Sequence, residues 1–252
     1  MRRCGTIDTR SARAAQASAV RARADEVAAG IRAIASVDLT PAQHIEELVI
    51  ELACAAEAGT TRTALHLQRV GRYVALLATS LDWPAQRVAM LRVASMLHDV
   101  GKVGIPDDVL QNDGVFTRDD RLRMEPHATI GHGLLAGKGS EVLDLGALVA
   151  LSHHERVDGT GYPNGLGAHA IPVEGRIVAI ADVFDALTTE RRYKPAMNLI
   201  QARALMMANR GSHFDAGLLD LFFERPDLLL EIRRRWTEPH RHPGGRSSPG
   251  GG

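Results

Sequence analysis

Apolar residues in this chain recur at spacings of three and four, and no stretch alternates convincingly between apolar and polar. That pattern confines the fold to helices, because a helix repeats its faces every 3.6 residues and a half-buried strand every two. Ile45, Leu48, Val49 and Leu52 share one helical face, Leu65, Val70, Val74 and Leu77 a second, and Val88, Leu91, Ala94 and Leu97 a third. Thr40-Pro41 reads as a helix start, with Thr40 as N-cap and Pro41 in the first turn. Gly59-Thr60-Thr61 breaks that helix, the next covers about 63–80, and the third opens at Trp83-Pro84 and closes at Gly101 as a C-cap. Further helices are predicted over about 117–124, 127–135, 142–152, 176–187, 198–209 and 216–223, with a long Gly/Pro loop at 158–172. The expectation is an all-α domain over 40–235, preceded by an Ala/Arg-rich arm at 1–39. A low-complexity tail at 236–252 follows, too poor in apolar residues to bury a core.

Composition narrows the classes. With 252 residues the chain can bury a core without disulfide staples, and its two cysteines, Cys4 and Cys54, make neither a disulfide framework nor a thiolate metal site. Thirty basic and thirty acidic residues cancel, which disfavours a globally basic DNA binder, and 4% aromatics leaves little for base stacking. No apolar run reaches the length of a membrane span, and Arg2 and Arg3 lack the apolar segment of a secretory signal behind them, so a cytoplasmic protein is expected. Histidine is abundant, 11 residues, whereas lysine occurs only at 102, 138 and 194.

The histidines gather at helix ends. His98-Asp99 closes one apolar helix and His153-His154 another, His66 lies within a helix, and His127 begins one. Asp182 interrupts the apolar run Ala-Ile-Ala-Asp-Val-Phe, where a carboxylate is costly to bury unless it is paired or bound to metal. Five imidazoles and two carboxylates are too many for one tetrahedral zinc and too rich in nitrogen for calcium or magnesium. They suit two first-row divalent ions, iron or manganese foremost, with zinc, cobalt or nickel as alternatives. His44, His132, His169, His213, His240 and His242 are read as ordinary surface or core residues.

The stretch His98-Asp99-Val-Gly-Lys102, followed by His153-His154-Glu-Arg-Val-Asp-Gly-Thr-Gly161-Tyr162-Pro163, resembles the HD-GYP family of bacterial phosphodiesterases. The likeness continues through Ile171-Pro172, Ala-Asp182-Val-Phe-Asp-Ala-Leu-Thr, Arg191-Arg-Tyr-Lys194 and Gly211-Ser-His-Phe-Asp, and covers about residues 62–224. The resemblance implies an HD-superfamily helical bundle around two or three metal ions, hydrolysing cyclic di-GMP to the linear dinucleotide pGpG or to GMP. It places His66, His98, Asp99, His127, His153, His154 and Asp182 on the metal-ligand positions, with Asp99 bridging. Lys102 would face the scissile phosphate and act with Asp99 in catalysis. Gly161, Tyr162 and Pro163 would form the loop beside the substrate, and Arg191 and Lys194 would hold phosphate or guanine.

Two departures stand out. Trinuclear members carry a Glu four residues before the first metal histidine, and here that residue is Arg62, so two ions are expected. The family's second loop glycine is replaced by Ala168, with Gly167 displaced by one, which bears on substrate affinity more than on chemistry. Other readings are an HD hydrolase of a different cyclic dinucleotide and a non-catalytic module that binds cyclic di-GMP or docks on a diguanylate cyclase. An HD-type di-iron oxygenase is disfavoured by Lys102 and the Gly-Tyr-Pro loop. The N-terminal arm is a candidate linker, lid or homodimerisation helix.

Overall fold

The computed structural model describes residues 9–36, 42–56, 61–112, 114, 117–190 and 195–237. In these residues the chain is all helical: α1 (Thr9–Ser36), α2 (Ala42–Ala56), α3 (Thr61–Ser80), α4 (Ala85–Ala94), α5 (Asp107–Leu110), α6 (Arg118–Met124), α7 (His127–Leu135), α8 (Glu141–Ser152), α9 (Val173–Thr188), α10 (Leu199–Met207), α11 (Ala216–Phe222) and α12 (Pro226–Arg235). Short 3-10 turns occupy Ser95–Leu97, Val100–Gly104 and Ala168–Ala170. The described residues contain no β-sheet, only two isolated bridges.

Local chemistry sets the boundaries. Pro84, Pro106, Pro126 and Pro172 each stand immediately before a helix, where a missing N–H costs nothing and a fixed φ favours the first turn. Thr117 and Asp120 form a reciprocal capping box on α6, and Asn198 and Gln201 one on α10. Asp215 caps α11 by accepting from the Leu218 N–H. The predicted cap Thr40-Pro41 and the break at Gly59-Thr60 lie outside the described residues. The α12 helix was not anticipated individually, although its amphipathic run Leu228–Leu230 with Ile232 fits a helix that buries one stripe.

Two apolar clusters hold the bundle. One joins α3, α8 and α9 to the C-terminal helices, with Tyr73, Phe184 and Phe222 packed edge to face at 5.1 to 6.1 Å. The other joins α1 and α2 to α7 and α8. Here Val27, Ile31 and Ile34 of the long first helix pack with Ile45, Val49, Leu52, Leu97 and Leu143. The second half of α1 is therefore integral to the core. Arg23 of this helix pairs with Asp107, and Glu46 of α2 takes a bidentate fork from Arg92 at 2.7 and 2.9 Å.

One helix end is corrected. Gly101 does not cap the third predicted helix; α4 stops at Ala94, and the chain tightens into 3-10 turns on either side of His98-Asp99. Ser95 Oγ donates to the Arg92 carbonyl at 2.8 Å, and His98 Nδ1 donates to the Ser95 carbonyl at 2.8 Å, which holds the tightened turn. Gly101 is required for another reason: a Cβ there would strike the His127 carbonyl and the Gly131 amide of α7.

Two outcomes follow from this packing. Gly101→Ala is expected to cost about 1–3 kcal/mol through overpacking, read as a lowered denaturation midpoint with unchanged slope. The Arg92 guanidinium holds the Glu46 carboxyl below its usual range. A depressed folded-state pKa gives stability that is present above the unfolded value of about 4.3 and lost as pH falls through the folded one. Wild type should therefore melt above Glu46→Gln at pH 7, and the gap should begin to narrow once melts are taken below about pH 4.

Candidate metal centre

The seven ligand candidates come from five places in the bundle and converge. His66 projects from α3, His98 and Asp99 from the turn after α4, His127 from the first residue of α7, His153 and His154 from the end of α8, and Asp182 from mid-α9. They form two groups of donor atoms, each within 4.8 Å: Asp99, His127, His153 and His154; and His66, His98 and Asp182. Asp99 joins them, with Oδ1 3.3 Å from His127 Nε2 and 3.9 Å from His153 Nε2, and Oδ2 3.2 Å from His98 Nε2. Asp182 Oδ1 lies 3.6 Å from His66 Nε2 and 3.9 Å from His98 Nε2.

Three of the rings are aimed by backbone carbonyls at their other nitrogen. His98 Nδ1 donates to the Ser95 carbonyl, His127 Nδ1 to the Met124 carbonyl at 2.7 Å, and His153 Nδ1 to the Val149 and Ala150 carbonyls at 3.1 Å. Those bonds fix the tautomer and leave Nε2 lone pairs pointing inward. His98 Nε2, His127 Nε2, His153 Nε2 and Asp99 Oδ1 are buried with no hydrogen-bond partner. Four orphaned polar atoms converging in one place would be costly in an empty core. The arrangement fits divalent ions and is capable of coordinating them.

The electrostatics separate His98 from the other buried histidines. Burial lowers the pKa of His127, His153 and His154, which keeps their lone pairs free of protons at neutral pH. Burial also opposes charge on His98, but the facing Asp99 and Asp182 carboxylates hold it up to about 9. Burial pushes against ionisation of Asp99, and the Lys102 and His98 charges overcome it, keeping this carboxyl well below the usual range. Lys102 Nζ donates to Asp99 Oδ2 at 2.5 Å, which brings the lysine to the edge of the cluster.

The Gly-Tyr-Pro loop sits directly on the centre. The Tyr162 ring stacks on His154 at 4.7 Å and meets His127 edge-on at 6.2 Å, and its N–H donates to the His154 carbonyl. Any Cβ on Gly161 would lie 2.5 Å from the His154 carbonyl, so only glycine permits this approach. The Tyr162–Pro163 peptide is cis. Ala168, where the family pattern has glycine, keeps a left-handed φ of 39° that glycine would adopt with less strain. Arg191 and Lys194 lie outside the described residues, as does the side chain of Arg62.

Several participants were not singled out from the sequence. Glu155 is buried and accepts from the Asn164 and Leu166 amides at 2.7 and 2.8 Å, which ties the loop to the residue after the His-His pair. Its position within His-His-Glu was the available signal. A groove of about 360 Å³ adjoins His154 and Tyr162 and is lined also by Arg121, Glu125, Arg156 and His213. His213, read as an ordinary residue, stacks flat on Phe214 at 4.1 Å, and burial lowers its pKa to about 4. No sequence spacing connects Arg121 with His213; the groove forms only when α6 and the segment before α11 meet.

A helical bundle that brings histidine and aspartate side chains from α3, the α4–α5 turn, α7, α8 and α9 onto one centre defines a metal-binding HD-type phosphohydrolase scaffold. The chain belongs to the HD-domain family, whose profile matches residues 47–218, and it is related to the HD-GYP phosphodiesterases. It is 40% identical over 198 residues to the cyclic di-GMP phosphodiesterase response regulator RpfG of Xanthomonas campestris, covering 79% of this chain and 52% of that protein. It is 40% identical over 188 residues to a 3'3'-cGAMP-specific phosphodiesterase of Vibrio cholerae, covering 75% of this chain and 36% of that protein. The chain thus spans about half or less of the length of these curated relatives. An HDG"Y"P protein from Bdellovibrio bacteriovorus shares the fold, with a TM-score of 0.58 at 17% identity over 84% of this chain and 70% of that one. No helix among the described residues is long and apolar enough to cross a membrane.

Because bound ions would satisfy the orphaned donors, metal removal should destabilise the fold. A ligand at a hundred times its Kd adds about 2.7 kcal/mol. Chelation is expected to lower the melting temperature, and Asp99→Ala to abolish that metal-dependent shift, read by melts with and without chelator alongside elemental analysis.

Proposed function

We propose that the chain is a metal-dependent phosphodiesterase that hydrolyses cyclic di-GMP to linear pGpG, GMP or both. The observation that carries this reading is the convergence of buried, unpartnered imidazole and carboxylate atoms beside an open groove. In this reading His66, His98 and Asp182 would hold one divalent ion and His127, His153 and His154 a second, with Asp99 facing both sets and iron or manganese favoured. Two such ions, when bound, supply Lewis acidity that activates water and neutralises phosphoryl oxygens. The catalytic unit is the segment 40–235, with the second half of α1 packed against it. A cytoplasmic site of action and docking on a diguanylate cyclase belong to the same reading.

The chain's own residues supply the rest. The Lys102 ammonium, held 2.5 Å from Asp99 Oδ2 at the edge of the donor cluster, would offset charge that develops on the phosphoryl group. Asp99 holds that lysine as well as facing both donor groups. Gly161 lets the loop backbone lie against His154, and Tyr162 walls the groove with an amphipathic ring. Burial and the nearby Asp99 charge raise the Tyr162 pKa, so the phenol stays protonated and can donate a hydrogen bond. Gly161, Tyr162 and Pro163 border the substrate, and Arg191 and Lys194 contribute phosphate or base contacts on the strength of the sequence motif. The groove of about 360 Å³ has room for a nucleobase, with Arg121, Arg156 and Glu125 offering charge of both signs along its wall.

A second reading, hydrolysis of 3'3'-cGAMP, is favoured by the equal identity to the Vibrio cholerae enzyme named for that substrate. Both dinucleotides contain guanine, so the neighbouring base decides.

The test is an anaerobic preparation, counted for metal by elemental analysis and assayed with each dinucleotide in parallel. About two iron or manganese ions per chain with pGpG or GMP formed from cyclic di-GMP is the expected result. Full metal loading with no turnover of either dinucleotide would sink the assignment. Lys102→Ala should lower kcat by about 10²–10³-fold, as for loss of one positioned charge donor, with the metal count unchanged.

A further inference from the structure

His66 is held differently from the other centre histidines with a described Nδ1 bond. His98, His127 and His153 donate Nδ1–H to backbone carbonyls. His66 donates to a carboxylate, Asp185 Oδ2, at 2.7 Å. Asp185 is buried and lies one helical turn beyond Asp182 on α9, so a single helix face presents both a candidate metal ligand and the group behind another. Asp185 is itself fixed on its far side. Arg69, also buried, donates from Nε to Oδ1 at 2.6 Å and from Nη2 to Oδ2 at 3.0 Å. That guanidinium reaches on to Thr189 Oγ1 at 3.1 Å and to the Trp236 carbonyl at 2.7 Å. The result is a relay from the end of α12 through Arg69 and Asp185 to His66.

We propose that Asp185 is a positioning residue for the metal centre. It locks His66 in the tautomer with Nδ1 protonated and Nε2 turned toward Asp182 and His98, and makes this imidazole a stronger donor than its carbonyl-bonded counterparts. Arg69 holds Asp185 in place for that task. A carboxylate behind a metal-binding histidine raises its basicity and fixes its orientation. A neutral carbonyl does the second but less of the first. The two ion positions consequently differ: the one built from His66, His98 and Asp182 depends on Asp185, and the one built from His127, His153 and His154 does not. The inference rests on the reading of the site as a two-ion centre.

Zinc binding without substrate tests it. Wild type, Asp185→Asn and the double variant Arg69→Met/Asp185→Asn are titrated with zinc against a competing chelator, and their folding is followed by far-ultraviolet circular dichroism. The double variant removes the buried guanidinium charge that Asp185→Asn alone would leave unpaired. One zinc should bind both variants as tightly as wild type, and the second about 10–100-fold more weakly. In wild-type protein labelled with ¹⁵N-histidine and loaded with zinc, His66 should show a protonated Nδ1 and a metal-bound Nε2. Two zinc ions bound to a variant with wild-type affinities would overturn the proposal. Equal weakening at both positions would reduce Asp185 to a packing role and overturn it as well. A His66 ring bound through Nδ1 would do the same without any variant. A wild-type chain that takes up no zinc would overturn the two-ion reading together with this inference, which separates the two failures.

Discussion

The Asp99 carboxylate lies buried among imidazoles, within 3.3 Å of His127 Nε2 and 3.2 Å of His98 Nε2. A lone ion in such a place is unstable in low dielectric, and the surrounding bundle is built so that it is never alone. Lys102 and His98 neutralise it, and His127 and His153 face it with lone pairs rather than protons. The same features that make the centre costly when unfilled make it a strong site for cations. Stability and chemistry are coupled here because the donors are buried and directed by backbone bonds.

That direction comes from ordinary parts of the fold. The 3-10 tightening after α4 supplies the Ser95 carbonyl that turns His98, and the last turn of α8 supplies those that turn His153. Gly101 lets this turn touch the start of α7, which places His127. Glu155 anchors the loop that lays Tyr162 on His154. Arg69 and Arg72 bind the end of α12 onto α3, the second through its guanidinium 3.7 Å over the Trp236 ring. Elements far apart in the chain thus set the geometry of a few rings.

Much of this was legible in the residues. The helical period placed α3, α7, α8, α9 and α11 to within a few residues, because each buries a stripe that recurs every three or four positions. The seven donors were legible as a set because His-Asp, His-His and a mid-helix Asp are costly to bury singly and fit one motif. The course of the chain around His98 was not, since a helix C-terminus and a 3-10 turn share the same Gly signal. Asp185 was quoted within the motif, but its partner His66 lies 119 positions away, and local spacing carries no information about that pairing.

By itself the sequence determined an all-helical chain and the inventory of a metal centre, since both follow from periodicity and from residue types with narrow chemical uses. Only the tertiary structure decided that Asp185 supports His66 and that Arg121 and His213 share a groove. His66 and Asp185 stand 119 positions apart, and a contact of about 3 Å over such a separation is set by helix packing rather than by any local pattern.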